Sequence, residues 1–247
     1  MPQPAKPAKP AKPAKRTQPA QPAKPRQPAA GTVDTVDTPA GPARITWHRP
    51  PKRAAARCVL ALGHGAGGGI EARDLAALAA ALPPRGVTVA LVEQPWRVAG
   101  RKLAPAPKTL DAGWTALWPA LAGPGLPVVA GGRSAGARVA CRTARELGAA
   151  AVLALSFPLH PPGKPEKSRA EELTTAAGAL PLLGVQGSND TFGRPAEFPR
   201  GHVPTEVPYG DHGFAVPKRA PLTQDEALRI LTDAVGDWLA GLGLATA

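Results

Sequence analysis

An apolar run, Pro127 to Ala130, ends in Gly132-Arg-Ser-Ala-Gly136, and a helix-compatible segment from Ala137 to Leu147 follows at once. Strand, turn and helix set this close together leave the chain few options. A turn that tight brings neighbouring backbone to where a β-carbon on either glycine would sit, so Gly132 and Gly136 are needed, and the serine between them holds a strained backbone. The hydroxyl of Ser134 then stands exposed at the edge of a sheet.

Partners for that strand are legible on both sides. Ile45-Thr-Trp47 reads as a short edge strand before the turn-forming Pro50-Pro51, and Cys58 to Leu62 as a stronger, buried one. Leu75, Leu78 and Leu82 recur at helical spacing until Pro83-Pro84 and Gly86 stop the helix, after which Val87 to Val92 gives another strand. Pro95 to Pro107 reads as loop. Thr109 is an N-cap for a helix whose face is Leu110, Trp114, Leu117 and Leu121. Ala151–Leu155, Leu182–Val185 and a weaker Val203–Val207 continue the strands. A last helix opens on a Thr223-Gln-Asp-Glu226 capping box and carries Leu228, Leu231, Val235, Trp238 and Leu242 on one stripe. This alternation predicts an α/β domain over residues 43–247, with a mostly parallel sheet of about seven strands and helices on both faces. The segment from Pro158 to Leu180 has room for one short helix, too little for a large lid.

Residues 1–42 read differently. Pro-Ala-Lys and close variants repeat, and nothing apolar larger than alanine follows Met1 until Val33, so the stretch is expected to be a disordered, polyproline-like arm. Of the chain's net charge of +12, the arm carries a large part: Lys6, Lys9, Lys12, Lys15, Arg16, Lys24 and Arg26 all precede the first acid, Asp34. Loose contact with a polyanion is its functional reading, and a neutral low-complexity extension is the alternative. Cys58 and Cys141 lie in apolar stretches without C-x-x-C or Cys/His clustering, which argues against a disulfide framework and a zinc site. No apolar run approaches the roughly 20 residues that span a bilayer, and the N-terminus has no apolar signal core, so a cytoplasmic protein without membrane partners is expected.

A serine hydroxyl is a poor nucleophile near neutral pH and needs a base, and that base needs an orienting group. Asp190, in Val185-Gln-Gly-Ser-Asn-Asp190, follows the Leu182 strand, and His212, in Tyr209-Gly-Asp-His-Gly-Phe214, follows the Val203 strand. The order serine, acid, histidine, with acid and base on loops after later strands, suits both. His160 is the rival base; with no acid suitably placed after it, it is given a binding or packing role. Asp211 is a weaker orienter, because neighbouring side chains in an extended loop diverge. Backbone N–H groups of Gly65, Ala66 and Ala135 would face a developing oxyanion, the first two from the glycine-rich loop after the Cys58 strand. Trp96, Phe157, Phe192 and Phe214 are candidates for an apolar cleft wall, and Arg133 for contact with an anionic substrate. Gly63-His-Gly-Ala-Gly-Gly68 is also G-x-G-x-x-G between strand and helix, with Glu93 placed as a ribose-binding acid, so a dinucleotide-binding reading stays open.

Taken together, Gly63-His-Gly-Ala-Gly67, Glu93-Gln-Pro-Trp96, Gly132-Arg-Ser-Ala-Gly-Ala-Arg138, Phe157-Pro-Leu-His-Pro-Pro-Gly-Lys-Pro-Glu-Lys167 and Asp211-His-Gly-Phe214 resemble the small α/β-hydrolase family related to dienelactone hydrolases. The likeness runs from Ile45 to the C-terminus and points to the branch with testis-expressed and chromatin-complex (KANSL-type) homologues. It implies the α/β-hydrolase fold and carries the nucleophile to Ser134, the acid to Asp190 and the base to His212. Dienelactone hydrolases have cysteine where this chain has Ser134. The implied activity is a serine hydrolase acting on small esters, thioesters or amides through an acyl-enzyme, with no cofactor and no metal. An inactive hydrolase-fold scaffold is the alternative, since members of the branch look like scaffolds.

Overall fold

The computed structural model describes residues 31–246. In chain order the elements are β1 (Thr32–Thr38), β2 (Gly41–His48), β3 (Cys58–Gly63), α1 (Arg73–Ala81), β4 (Val87–Glu93), α2 (Pro95–Val98), α3 (Pro107–Ala122), β5 (Val128–Arg133), α4 (Ala135–Thr143), β6 (Ala151–Leu155), α5 (Ala170–Ala179), β7 (Leu182–Gly187), β8 (Thr205–Val207) and α6 (Gln224–Gly241). The strands form one sheet in the order β1-β2-β4-β3-β5-β6-β7-β8. From β4 to β8 every pairing is parallel, whereas β1 and β2 join antiparallel at one edge. Strands β3 and β5 are the central pair, and β3 and β6 are buried along their whole length. That is what continuous runs of apolar residues require when helices cover both faces.

The two faces make two cores. Leu75 and Leu78 of α1 and Leu231, Val235 and Leu239 of α6 pack on Leu60, Leu62, Val89, Leu91, Val129 and Leu153. On the opposite face, Leu110, Trp114 and Leu117 of α3, Ala137 and Val139 of α4 and Leu173 of α5 cover Ala61, Ala90, Val92, Ala130 and Val152. Both cysteines are free and buried, and burial pushes each thiol up to about 12, so neither offers a thiolate at neutral pH. Among the described residues no helix is long and apolar enough to cross a membrane.

Several expectations need correction. The sheet has eight strands rather than about seven, because the arm does not extend to residue 42. Residues 1–30, with their expected polyanion contact, lie outside the described residues, but Thr32 to Thr38 is a strand paired with β2 over its whole length. Its alternating Thr, Val and Asp suit an exposed edge, and Trp47 Nε1 donates to Asp34 Oδ2 at 2.7 Å across the hairpin. Ile45–Trp47 is therefore an inner pairing partner, not an edge. The loop expected over Pro95–Pro107 contains the one-turn helix α2, and α3 starts at Pro107, with Ala106 rather than Thr109 as its N-cap. Proline is well suited to a first helical position, where its missing N–H costs nothing. The Thr223–Glu226 capping box is present as expected. The buried stripe of α6, however, is Ala227, Leu231, Val235 and Leu239, with Leu242 left 37% exposed. Small Ala227 belongs to the core under the helix, and Gly236 leaves room for the Arg85 guanidinium, so small residues as well as large ones face inward.

Candidate active site

The turn between β5 and α4 has the strain that its glycines predict. Ser134 holds φ +52 and ψ −111, a conformation L-residues seldom adopt, and is the N-cap of α4. A Cβ on Gly132 would lie 2.5 Å from the Gly63 carbonyl oxygen, and one on Gly136 would collide with the same atom. The elbow is thus pressed against the end of β3. Ser134 is half-buried, so its hydroxyl is reachable.

The loops after β7 and β8 bring the other two residues to it. His212 Nε2 lies 2.9 Å from Ser134 Oγ, while Nδ1 lies 2.8 Å and 3.0 Å from the two carboxylate oxygens of Asp190. A carboxylate only accepts, so Nδ1 carries the proton and donates it, leaving Nε2 as an acceptor for the serine hydroxyl. Asp190 is wholly buried, and its charge is met by donors: the Phe192 N–H bonds Oδ1 at 2.8 Å and Gln186 Nε2 bonds Oδ2 at 2.8 Å. Phe192 stacks on the His212 ring with centroids 4.1 Å apart. Asp211 bonds the N–H groups of Gly213 and Ala215 and so shapes the His212 loop, without approaching the imidazole as a partner.

On the β3 side, the buried His64 accepts from the Gln94 N–H at Nε2 (3.2 Å) and donates from Nδ1 to the Gly65 carbonyl (2.8 Å). Burial pushes the His64 pKa down, which keeps the ring neutral in this tautomer. Holding the Gly65 carbonyl also sets the direction of the Ala66 N–H, since the two point opposite ways across a trans peptide. Ala135 opens α4, where the first N–H groups have no acceptor within the helix. Gly65 and Ala135 together line a small cavity with His64, Gln94, Trp96 and Trp114.

The remaining expected site residues separate. Trp96 borders this cavity and Phe192 covers His212. Phe157 and Phe214 belong to the two cores, 1% and 0% exposed, and form no cleft wall. A large aromatic ring gains most from full burial, which both reach in the cores. His160 has both ring nitrogens engaged, Nε2 with Glu197 at 2.9 Å and Nδ1 with the Pro161 carbonyl at 2.9 Å, so it ties two loops together. Arg133 is mostly buried and turns to Asp74 and to the His212 carbonyl rather than outward. Glu93, the expected ribose ligand of the alternative reading, lies 3.9 Å from Arg44. Gln186, Gln94 and His64 are the supporting residues that the sequence reading passed over. A buried amide four residues before Asp190, at the end of an otherwise apolar strand, was the one available signal for Gln186.

A parallel sheet clad on both faces, with serine, histidine and acid on loops beyond its strand ends, defines a protein of the α/β-hydrolase class. The chain belongs to the alpha/beta hydrolase domain family, whose model matches residues 56–240. No curated protein sequence matches it. Its fold is similar to that of a serine hydrolase without a lid from Xanthomonas campestris, at a TM-score of 0.64 and 19% identity over 89% of this chain and 98% of that one. It is also similar to dienelactone hydrolase from Anabaena variabilis (TM-score 0.62, 17% identity, 87% and 99% covered). Esterase 2 from Thermogutta terrifontis is a third such structure (0.60, 14%, 91% and 99%). In this chain the segment between β6 and β7 carries α5, which packs against α4, and nothing lid-like.

Proposed function

We propose that the protein is a serine hydrolase of small esters, thioesters or amides that works through an acyl-enzyme. The observation that carries this reading is the continuous chain Ser134 Oγ, His212 Nε2, His212 Nδ1, Asp190, at 2.9 Å and 2.8 Å. In the first half-reaction Ser134 Oγ attacks the acyl carbon and passes its proton to His212 Nε2. Asp190 stays ionised and stabilises the imidazolium through Nδ1–H. The carbonyl oxygen becomes an oxyanion that accepts from the N–H groups of Ala135 and of Gly65 or Ala66. Collapse of the tetrahedral intermediate expels the alcohol, thiol or amine, which takes the proton from His212. Water then enters and attacks the acyl carbon while His212 Nε2 takes its proton; the bond from the acyl carbon to Ser134 Oγ breaks, Oγ takes that proton back, and the acid leaves.

A small cavity beside Ser134 and no lid between β6 and β7 suit small, soluble substrates, and the branch with testis-expressed and chromatin-complex homologues belongs to the same proposal. A fluorophosphonate probe, followed by peptide mapping, tests it. Labelling at Ser134, lost in Ser134→Ala, is expected; a folded wild type that resists the probe and hydrolyses no short-chain ester would leave the scaffold reading in its place.

A further inference from the structure

Arg133 ends the strand that presents Ser134, yet the chemistry above gives it no task. Its side chain is 13% exposed and touches three separate segments. Nη2 donates to the carbonyl of His212 at 2.6 Å. Nε lies 3.2 Å from Oδ2 of Asp74, in the first turn of α1. Nη1 flanks the glycine-rich loop, 3.1 Å from where a Cβ on Gly65 would stand.

The pairing with Asp74, the most deeply buried of the described arginine–carboxylate pairs, differs from the tight ones. Arg138 grips Glu172, and Arg142 grips Asp111, through two hydrogen bonds each. Asp74 is fully buried, and Arg133 Nε faces it without a well-directed hydrogen bond, so the two groups mainly balance charge, with the backbone N–H groups of Asp74 and Leu75 also near the carboxylate. Burial pushes the Asp74 carboxyl up, and the neighbouring guanidinium is the foremost force opposing it. A charge pair buried so loosely is a poor source of stability. The directional bond of Arg133 is the one to His212. Apart from the His212 imidazole, whose Nε2 meets Ser134 Oγ, the other hydrogen bonds of that loop hold it to itself, to β8, to the loop after β7 or to α6, as in Asp211 to Gly213 and Ala215, Asn189 to Gly210, and Gln224 to Phe214.

We propose that Arg133 is a positioning residue: with Asp74 as its counter-ion, it ties the main chain at His212 to the strand that carries Ser134 and so keeps Nε2 in reach of Oγ. The proposal rests on the serine-hydrolase reading. A displacement of about 1 Å in a reacting group can cost about 10²-fold in rate, which is the size of effect expected when the tie is cut.

Three variants test it: Arg133→Lys, Arg133→Met and the double variant Asp74→Leu with Arg133→Met. The readouts are Tm, kcat and KM on a short-chain ester, and the rate of fluorophosphonate labelling at Ser134. Arg133→Met leaves a buried carboxylate uncompensated and should lose both Tm and kcat, the latter by about 10²-fold, with KM within about threefold of wild type. The double variant removes both charges and should regain the Tm, yet remain slow in turnover and labelling, because the His212 carbonyl still lacks its donor. Arg133→Lys keeps the charge but loses the fork, and should fold normally while staying slow. Recovery of wild-type kcat together with Tm in the double variant would show a merely structural pair and overturn the proposal, as would wild-type kcat in Arg133→Lys. Those two variants carry the test even if Arg133→Met does not fold. A wild type that is not labelled at Ser134 sinks this proposal and the hydrolase reading together; a labelled wild type with equally labelled variants sinks this one alone.

Discussion

At the residue scale, the three groups of the proposed chemistry work only as a unit. Ser134→Ala and His212→Ala should each remove nearly all turnover on an activated ester, and the double variant should be scarcely slower than either, because neither group acts without the other. Asp190→Asn should cost roughly 10³ to 10⁴-fold in kcat, since the amide can hold the imidazole in the wrong tautomer. Additive losses in the double variant would refute the unit. Gly65→Val tests the opposite wall. Its Cβ would lie 3.1 Å from Arg133 Nη1 and 3.4 Å from Ser134 Cβ, so the larger side chain must displace the loop whose N–H groups are to meet the oxyanion. A fall of about 10²-fold in kcat with little change in KM is expected. The order of Ser134, Asp190 and His212 along the chain, each just past a strand, made these residues legible in the sequence. Arg133 was found by the same motif but misjudged as a substrate contact, because a pentapeptide does not say which way its second side chain turns. Asp74 matters only through a partner brought near by the fold, and nothing local marks it.

At the scale of elements, the loops behind the site are held by a pair with its own pH dependence. His160 Nε2 and Glu197 Oε2 are 2.9 Å apart, joining the loop after β6 to the turn at Pro195–Glu197. The His160 pKa is raised above its ordinary 6.5, first by the bond to the Pro161 carbonyl and then by Glu197. That of Glu197 is lowered from its ordinary 4.5, first by the Arg194 N–H and then by His160. A raised histidine stabilises the fold below its unfolded value and loses that contribution as pH climbs through the folded one. A lowered carboxylate does so above its unfolded value and loses it as pH falls. The pair therefore contributes most between 4.5 and 6.5. Thermal melts across pH 4 to 9 should show wild type losing Tm relative to Glu197→Gln on either side of that window; parallel curves would deny the linkage. Neither residue's role was readable from local pattern, since His160 and Glu197 are 37 positions apart. The strands and helices themselves were legible from periodicity, and the misses had local causes: β1 shared the polar composition of the arm before it, and α2 was hidden behind Pro95.

At the scale of the whole molecule, the described sheet begins at Thr32, which moves the point where the chain can be cut. Deleting residues 2–30 removes a segment whose composition supports no core, so Tm should stay unchanged while retention on a heparin column falls. Deleting residues 2–42 strips β1 from β2 and breaks the Trp47–Asp34 bond, and should lower Tm by several degrees. Equal melting of both truncations would mean that β1 adds nothing. The sheet order has a further consequence. Gly65 follows β3, Ser134 follows β5, Asp190 follows β7 and His212 follows β8, so the candidate site draws on strands from the middle of the sheet to its far edge. No assembly that lacks β8 contains it whole. Parallel pairings across long crossovers are slow to form, and β8, only three residues long, has one neighbour to hold it. In refolding from urea, reactivity of Ser134 toward a fluorophosphonate should therefore appear after the far-ultraviolet signal of the helices has recovered, which makes the chemistry a clock for the last strand to dock.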